Sequence, residues 1–122
     1  MYDVAILGSG PAGLTAAIYS ARANLSTLVL TGEMFGGQIA TTNDVENYPG
    51  FEEITGPDLT LRMRRQAEKF GAEIQIDTAT EIDVQGPPFK ITATSGEIIA
   101  RSVIAATGAT ARQLGVAGEA PY

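Results

Sequence analysis

The sequence predicts an α/β fold, a parallel sheet carrying an antiparallel β-meander insert, and three observations predict it. A short apolar run, Val4-Ala5-Ile6-Leu7, ends in a glycine-rich turn that opens a helical stripe. A second apolar run, Leu25 to Leu30, follows within the first thirty residues. Further on, short strand-like segments are separated by Gly86-Pro87-Pro88 and Ser95-Gly96, which is the punctuation of a meander.

Val4 to Leu7 is continuous rather than alternating, as expected of a strand buried on both faces. Leu14, Ala17, Ile18 and Ala21 then recur at steps of three and four, a helical face, and Pro11 suits the first turn of that helix. Strand, helix and strand in so short a span require a right-handed parallel βαβ unit. Residues 31–56 show no sustained period, and a stretch of that length in a small domain is usually functional. Gly56-Pro57-Asp58 reads as a helix start, with Leu59, Met63, Ala67 and Phe70 as its apolar face and Gly71 as its stop. Glu73 to Asp77 alternates and predicts a strand. Glu81 to Val84, Phe89 to Ala93 and Glu97 to Ala100 predict the meander, and Val103 to Ala106 a further buried strand closing on Thr107-Gly108. The tail from Ala109 to Tyr122 carries little periodicity. There are no internal repeats and no sign of a second domain.

Composition narrows the chemistry. The 122 residues contain no Cys, His or Trp. Disulfide, thiolate, iron–sulfur and imidazole chemistry are therefore excluded within them, and no metal site is expected. Lys plus Arg number 8 against 14 Asp plus Glu, a net charge of −6, which argues against a nucleic-acid or anionic-membrane partner. Met1-Tyr2-Asp3 lacks a basic leader, and no run approaches the ~18 apolar residues that cross a bilayer. The expectation is a cytoplasmic protein. Glycine accounts for 14 residues, above the typical ~7%, and points to loops where backbone approaches a ligand closely.

Gly8-Ser9-Gly10-Pro11-Ala12-Gly13 matches G-x-G-x-x-G and sits where that motif requires, after a strand and at the start of a helix. The first glycine allows the tight turn, the second admits a pyrophosphate to the backbone, and the third lets helix and strand pack closely. The acidic residue that usually follows the second strand is missing, because position 31 is Thr31. Thr31, the Gly32 backbone or Glu33 then contacts the adenosine ribose; on the other reading Glu33 is a solvated loop charge. Gly36-Gly37-Gln38 permits close approach of a flat ligand, and Gln38 and Asn47 offer amide donors and acceptors suited to the edge of an isoalloxazine ring. A plain turn-rich surface loop is the alternative reading of that stretch. The cluster Arg62, Arg64, Arg65 and Lys69 reads as a solvated helix face.

These segments, together with Asp44-Val45-Glu46-Asn47-Tyr48-Pro49-Gly50-Phe51 and Ala106-Thr107-Gly108-Ala109, resemble the N-terminal part of low-molecular-weight thioredoxin reductases over the whole chain. The resemblance implies a Rossmann-like, FAD/NAD(P)-binding type of domain, residues 1–122 forming an incomplete FAD-binding domain. It implies that Gly8 to Gly13 hold the FAD pyrophosphate, that Thr31 to Gln38 line the adenosine side, and that Gln38 and Asn47 lie nearer the flavin. The backbone of Ile82 would meet adenine, and Ala106, Thr107 and Gly108 would pack over the cofactor.

Family members continue past a segment like Leu114-Gly115-Val116 into a Cys-x-x-Cys, an NADPH domain and a returning FAD segment, none of which is present here. The implied parent passes reducing equivalents from NADPH through FAD to a dithiol, with thioredoxin or a similar dithiol protein as partner and a homodimeric assembly. For these 122 residues the expectation is cofactor binding only, with no catalytic residue and weak FAD retention. Two alternatives stay open: a non-catalytic nucleotide-binding or interaction module of the same fold, and part of a Cys-less ferredoxin- or flavodoxin-NADP reductase relative.

Overall fold

The computed structural model describes residues 1–108; the expectations for Ala109 and the tail beyond it lie outside the described residues. Strand β1 (Tyr2–Leu7) leads into helix α1 (Pro11–Arg22), then β2 (Thr27–Leu30), a short 3-10 helix (Gly37–Thr41) and helix α2 (Gly56–Lys69). Strands β3 (Glu73–Gln75), β4 (Ala79–Asp83), β5 (Phe89–Ala93) and β6 (Gly96–Ala105) follow. The strands form one six-stranded sheet in the order β3-β2-β1-β6-β5-β4. The expected Rossmann-like parallel core with an antiparallel insert is therefore the observed architecture.

β1 pairs in parallel with β2 on one side and β6 on the other, Ile6 lying opposite both Val29 and Ile104. Its central place explains the unbroken apolar run, since Val4 to Leu7 are buried on both faces. On one face the buried stripe of α1 (Leu14, Ala17, Ile18, Ala21) packs with Val4, Ile6 and Val29, and Ala67 of α2 joins the same layer. On the other face Ala5, Leu7, Leu28 and Leu30 share a core with Ile91, Ala93, Ile98 and Ala100, so the meander curls back over the parallel strands. Each fully buried Leu or Ile contributes about 1.5–3 kcal/mol relative to exposure.

The ends of the helices account for two expected boundaries. After α1 the Leu25 amide donates to the Ser20 carbonyl and the Asn24 amide to that of Ala21, with Asn24 at φ 63°. That is a Schellman closure with asparagine in the left-handed position. Leu25 is spent on this turn and is exposed, so β2 begins at Thr27 rather than at Leu25. α2 starts with Thr55 as its cap, the Asp58 amide donating to Thr55 Oγ1 at 3.2 Å. It ends as the sequence predicts, with the Ala72 amide reaching back to the Ala67 carbonyl across Gly71. Phe70, expected on the buried face, instead lies at the helix terminus beneath the Arg22 guanidinium.

Two segments predicted as separate strands, Glu97 to Ala100 and Val103 to Ala106, are one ten-residue strand, β6. Its first half pairs antiparallel with β5 and its second half parallel with β1, Ala100 being opposite both Phe89 and Tyr2. The polar pair Arg101-Ser102 between them is not a break. Ser102 Oγ donates to the Asp3 carbonyl at 2.6 Å, and Arg101 faces the Asp3 carboxylate. The second half is less buried than expected, because β5 registers only as far as Ala100 and no described strand continues that edge. β3 stops at Gln75 instead of Asp77, and β4 spans Ala79 to Asp83 rather than Glu81 to Val84. The aperiodic residues 31–56 hold the 3-10 helix and one bridge, Val45 to Ile54.

Candidate dinucleotide-binding site

The turn after β1 is shaped by close backbone approach. Gly8 has φ 121°, and a Cβ there would overlap the Ala106 carbonyl. The Gly8 amide donates to the Leu30 carbonyl and the Ala106 amide to the Leu7 carbonyl, so the turn is clamped between the ends of β2 and β6. A Cβ on Gly13 would overlap the Gly8 carbonyl, which is the tight helix-to-strand packing expected of the third motif glycine.

Gly10 differs from both. Its backbone is extended (φ −74°), and the nearest atom to a Cβ placed there is the Gly36 carbonyl oxygen at 3.7 Å. Packing alone does not demand glycine at this position. Gly10 caps α1 without any side-chain hydrogen bond, and Pro11 occupies the first turn. The helix therefore presents its first amides and the positive end of its dipole to the space in front of Gly10. Such a terminus favours negative charge.

Ser9 closes the cradle from behind. It is buried, its hydroxyl donates to the Thr31 carbonyl at 2.9 Å, and it accepts from the Gly36 amide at 3.0 Å. One side chain thus joins the turn, the end of β2 and the Gly36-Gly37 segment. Gly37 lies against Gly10, where a Cβ would come within 3.3 Å of the Gly10 Cα. The paired glycines read as ligand-approach positions are also required by the fold: Gly36 is buried beside Thr60 and Ala40.

The predicted residues divide into two groups. Gly8, Ser9, Gly10, Pro11, Ala12, Gly13, Thr31, Gly32, Gly36, Gly37 and Ala106 share one region at the ends of β1, β2 and β6. Thr31 is buried, with its amide donating to the Gln75 carbonyl, and the Gly32 amide donates to the Asp77 carbonyl. Glu33 and Gln38 are exposed, and Gln38 stands on the 3-10 helix. Asn47 is also exposed and takes no part in the hydrogen bonds that hold the cradle. Ile82 sits on β4, the far edge strand, half-buried against the meander core. Thr107 and Gly108 extend exposed beyond Ala106.

Three residues that shape the site went unread in the sequence. Gly56, taken there only as a helix start, lies so close to the Ile39 carbonyl that any Cβ would overlap it, which seats the 3-10 helix on α2. Thr60, buried, donates to the Gly56 and Pro57 carbonyls and backs Gly36. Asp77 accepts from the Thr78 amide at 2.8 Å, from Gln75 Nε2 at 2.9 Å, and from the amide and hydroxyl of Ser95. Those bonds, led by the Ser95 hydroxyl, lower its carboxyl to about 2. None of the three carries a local sequence signal, because each is defined by a partner distant in the chain or by a carbonyl. Among the described residues no cluster of acidic side chains suits a metal ion, and no helix is long and apolar enough to cross a membrane.

Residues 2–122 match the family described as pyridine nucleotide-disulphide oxidoreductase. The chain belongs to that family. Among curated relatives, thioredoxin reductase from Bacillus subtilis is 52% identical over 120 residues, covering 98% of this chain and 38% of the relative. Thioredoxin reductase from Mycolicibacterium smegmatis is 51% identical over 120 residues, again 98% of this chain and 39% of the relative. Among solved structures, Lactococcus lactis thioredoxin reductase superposes with a TM-score of 0.90 at 45% identity, over all of this chain and 40% of its own. The chain spans about two-fifths of the relatives it matches.

Proposed function

We propose that the chain is the FAD-binding portion of a thioredoxin reductase-like flavoprotein disulfide oxidoreductase. The observation that carries the reading is Gly10, a glycine with ordinary extended backbone and free space before it, set at an uncapped helix N-terminus. A ligand, rather than packing, accounts for the missing side chain. In this reading the amides of Gly10, Ala12 and Gly13 bind the FAD pyrophosphate, Pro11 having none to offer, and Thr31, Gly32 and Glu33 meet the adenosine ribose. Gln38 and Asn47 lie on the flavin side, Ile82 meets adenine, and Ala106 to Gly108 cover the cofactor. Bound there, the flavin supplies two-electron transfer between a nicotinamide and a dithiol, while the protein supplies position and electrostatics.

The activity of the whole protein follows as part of the same proposal. NADPH is the electron donor, thioredoxin or a similar dithiol protein the acceptor, and the assembly a cytoplasmic homodimer. None of the redox residues of such an enzyme lies in these 122 residues, which contain no cysteine.

The test is an FAD titration of the purified chain, followed by quenching of flavin fluorescence, with Gly10→Val alongside. Saturable binding that ADP competes away, weakened by at least about tenfold in Gly10→Val, is expected, because a branched side chain fills the anion position while its Cβ comes no nearer than 3.7 Å to the Gly36 carbonyl oxygen. Equal binding by Gly10→Val and by the unaltered chain, with an unchanged circular dichroism spectrum, would overturn it.

A further inference from the structure

Asp77 is only 7% exposed, and both its carboxylate oxygens are engaged. Oδ1 accepts from the Thr78 amide, and Oδ2 accepts from Gln75 Nε2, the Ser95 amide and the Ser95 hydroxyl. Gln75 Nε2 also donates to Ser95 Oγ at 3.1 Å. Ser95 lies in the turn between β5 and β6, and Asp77 in the link from β3 to β4, where the Thr94 amide donates to the Thr78 carbonyl and Ser95 meets Asp77 as a continuation of the β4–β5 pairing. The carboxylate therefore ties the curled meander to the end of the parallel sheet.

What this knot holds is backbone. The Gln75 carbonyl accepts from the Thr31 amide at 3.1 Å, and the Asp77 carbonyl accepts from the Gly32 amide at 2.9 Å. From the other side, Ser9 donates to the Thr31 carbonyl. Position 31 carries no carboxylate of its own and the Thr31 and Gly32 amides are spent on these bonds, so on the dinucleotide reading it is the Thr31 and Gly32 carbonyls, each with a second lone pair, that remain to accept from the ribose hydroxyls. Backbone groups recognise a ligand only if their direction is set, since hydrogen bonds weaken steeply with misalignment. A preorganised strand end also loses less entropy when the ligand binds.

We propose that Asp77 is a positioning residue for the adenosine-ribose end of the dinucleotide site: its carboxylate locks residues 75–78, whose carbonyls orient Thr31 and Gly32. The inference rests on the dinucleotide-binding reading above and adds to it a second anchor, from a segment outside the residues which that reading places on the ligand. Ser95 is its partner in the lock.

The experiment measures FAD and ADP dissociation constants for the purified chain and for Asp77→Asn, Ser95→Ala and Ser95→Thr, at a temperature where circular dichroism shows each folded. Ser95 is exposed, so its variants leave the core intact. Loss of one hydroxyl bond to a carboxylate is expected to raise both constants about fivefold in Ser95→Ala, and Asp77→Asn to raise them about tenfold. Ser95→Thr, which keeps the hydroxyl, restores the unaltered value; a role confined to stability would shift melting without shifting affinity. Unaltered affinity in Ser95→Ala and Asp77→Asn overturns the inference. If Asp77→Asn does not fold, the contrast between Ser95→Ala and Ser95→Thr decides alone. Absence of saturable FAD binding to the unaltered chain defeats the dinucleotide reading instead, so the two failures are distinct.

Discussion

Ser9 and Gly36, 27 residues apart in the chain, share a buried hydrogen bond in which the Gly36 amide donates to Ser9 Oγ at 3.0 Å. The same hydroxyl donates to Thr31, so one oxygen sets the spacing between the glycine-rich turn and the glycine pair that faces it. The motif position usually written as any residue is here the hinge of the cradle.

Ser9→Ala removes that oxygen and leaves a buried carbonyl and a buried amide without a partner. The expected loss is about 1–3 kcal/mol of unfolding free energy, read as a lower urea midpoint at constant slope. A change of a few tenths of a kcal/mol would show that water replaces the hydroxyl.

The motif glycines are expected to separate by role. Gly8→Ala forces a side chain into positive φ and against the Ala106 carbonyl, and Gly13→Ala drives one into the Gly8 carbonyl. Each is expected to lose at least about 2 kcal/mol. Gly10→Ala is expected to melt within a few degrees of the unaltered chain. Thermal unfolding of the three variants side by side checks the contrast, and equal destabilisation would contradict it.

Acid should unlock the Asp77 knot. Its carboxyl is lowered to about 2 in the folded chain, first by the Ser95 hydroxyl. A depressed folded value means that the stabilisation is complete above the ordinary carboxylate range near 4 and is lost as pH falls toward 2. Urea unfolding between pH 5 and pH 2 should show a decline that Asp77→Asn flattens; parallel curves for the two proteins would refute the assignment.

Tyr2 behaves in the opposite sense. Its hydroxyl donates to Glu73 Oε2 at 2.7 Å, which raises the phenol to about 12. The stabilisation from this bond is present below the ordinary phenol value near 10 and is lost as pH rises through 12. Subtracting the ultraviolet titration of Tyr2→Phe from that of the unaltered chain should isolate one phenol with that late midpoint. A difference midpoint near 10 would mean that the bond to Glu73 does not hold in solution.

Much of this molecule is legible in local pattern. Val4 to Leu7, the stripe Leu14 to Ala21, Gly71 at the end of α2 and the G-x-G-x-x-G turn each depend on neighbours within a turn or two of chain, and each stands where the pattern puts it. The boundaries that moved depend on partners far away. β6 is continuous because Asp3 receives Ser102 and faces Arg101. β2 starts late because Leu25 closes a helix.

The division at the site has the same cause. Sequence alone determined the α/β class, the glycine turn and the family, since repeating apolar spacing and glycine placement act through local backbone sterics and survive without any knowledge of contacts. Only the tertiary structure decided that Ser9 and not Gly36 organises the cradle, that Gly10 alone among the motif glycines is spared by packing, and that Asp77 meets Ser95 at the end of the β4–β5 pairing. Those facts are distances between segments. A chain of letters has no distances until the meander has curled over the parallel strands and brought them together.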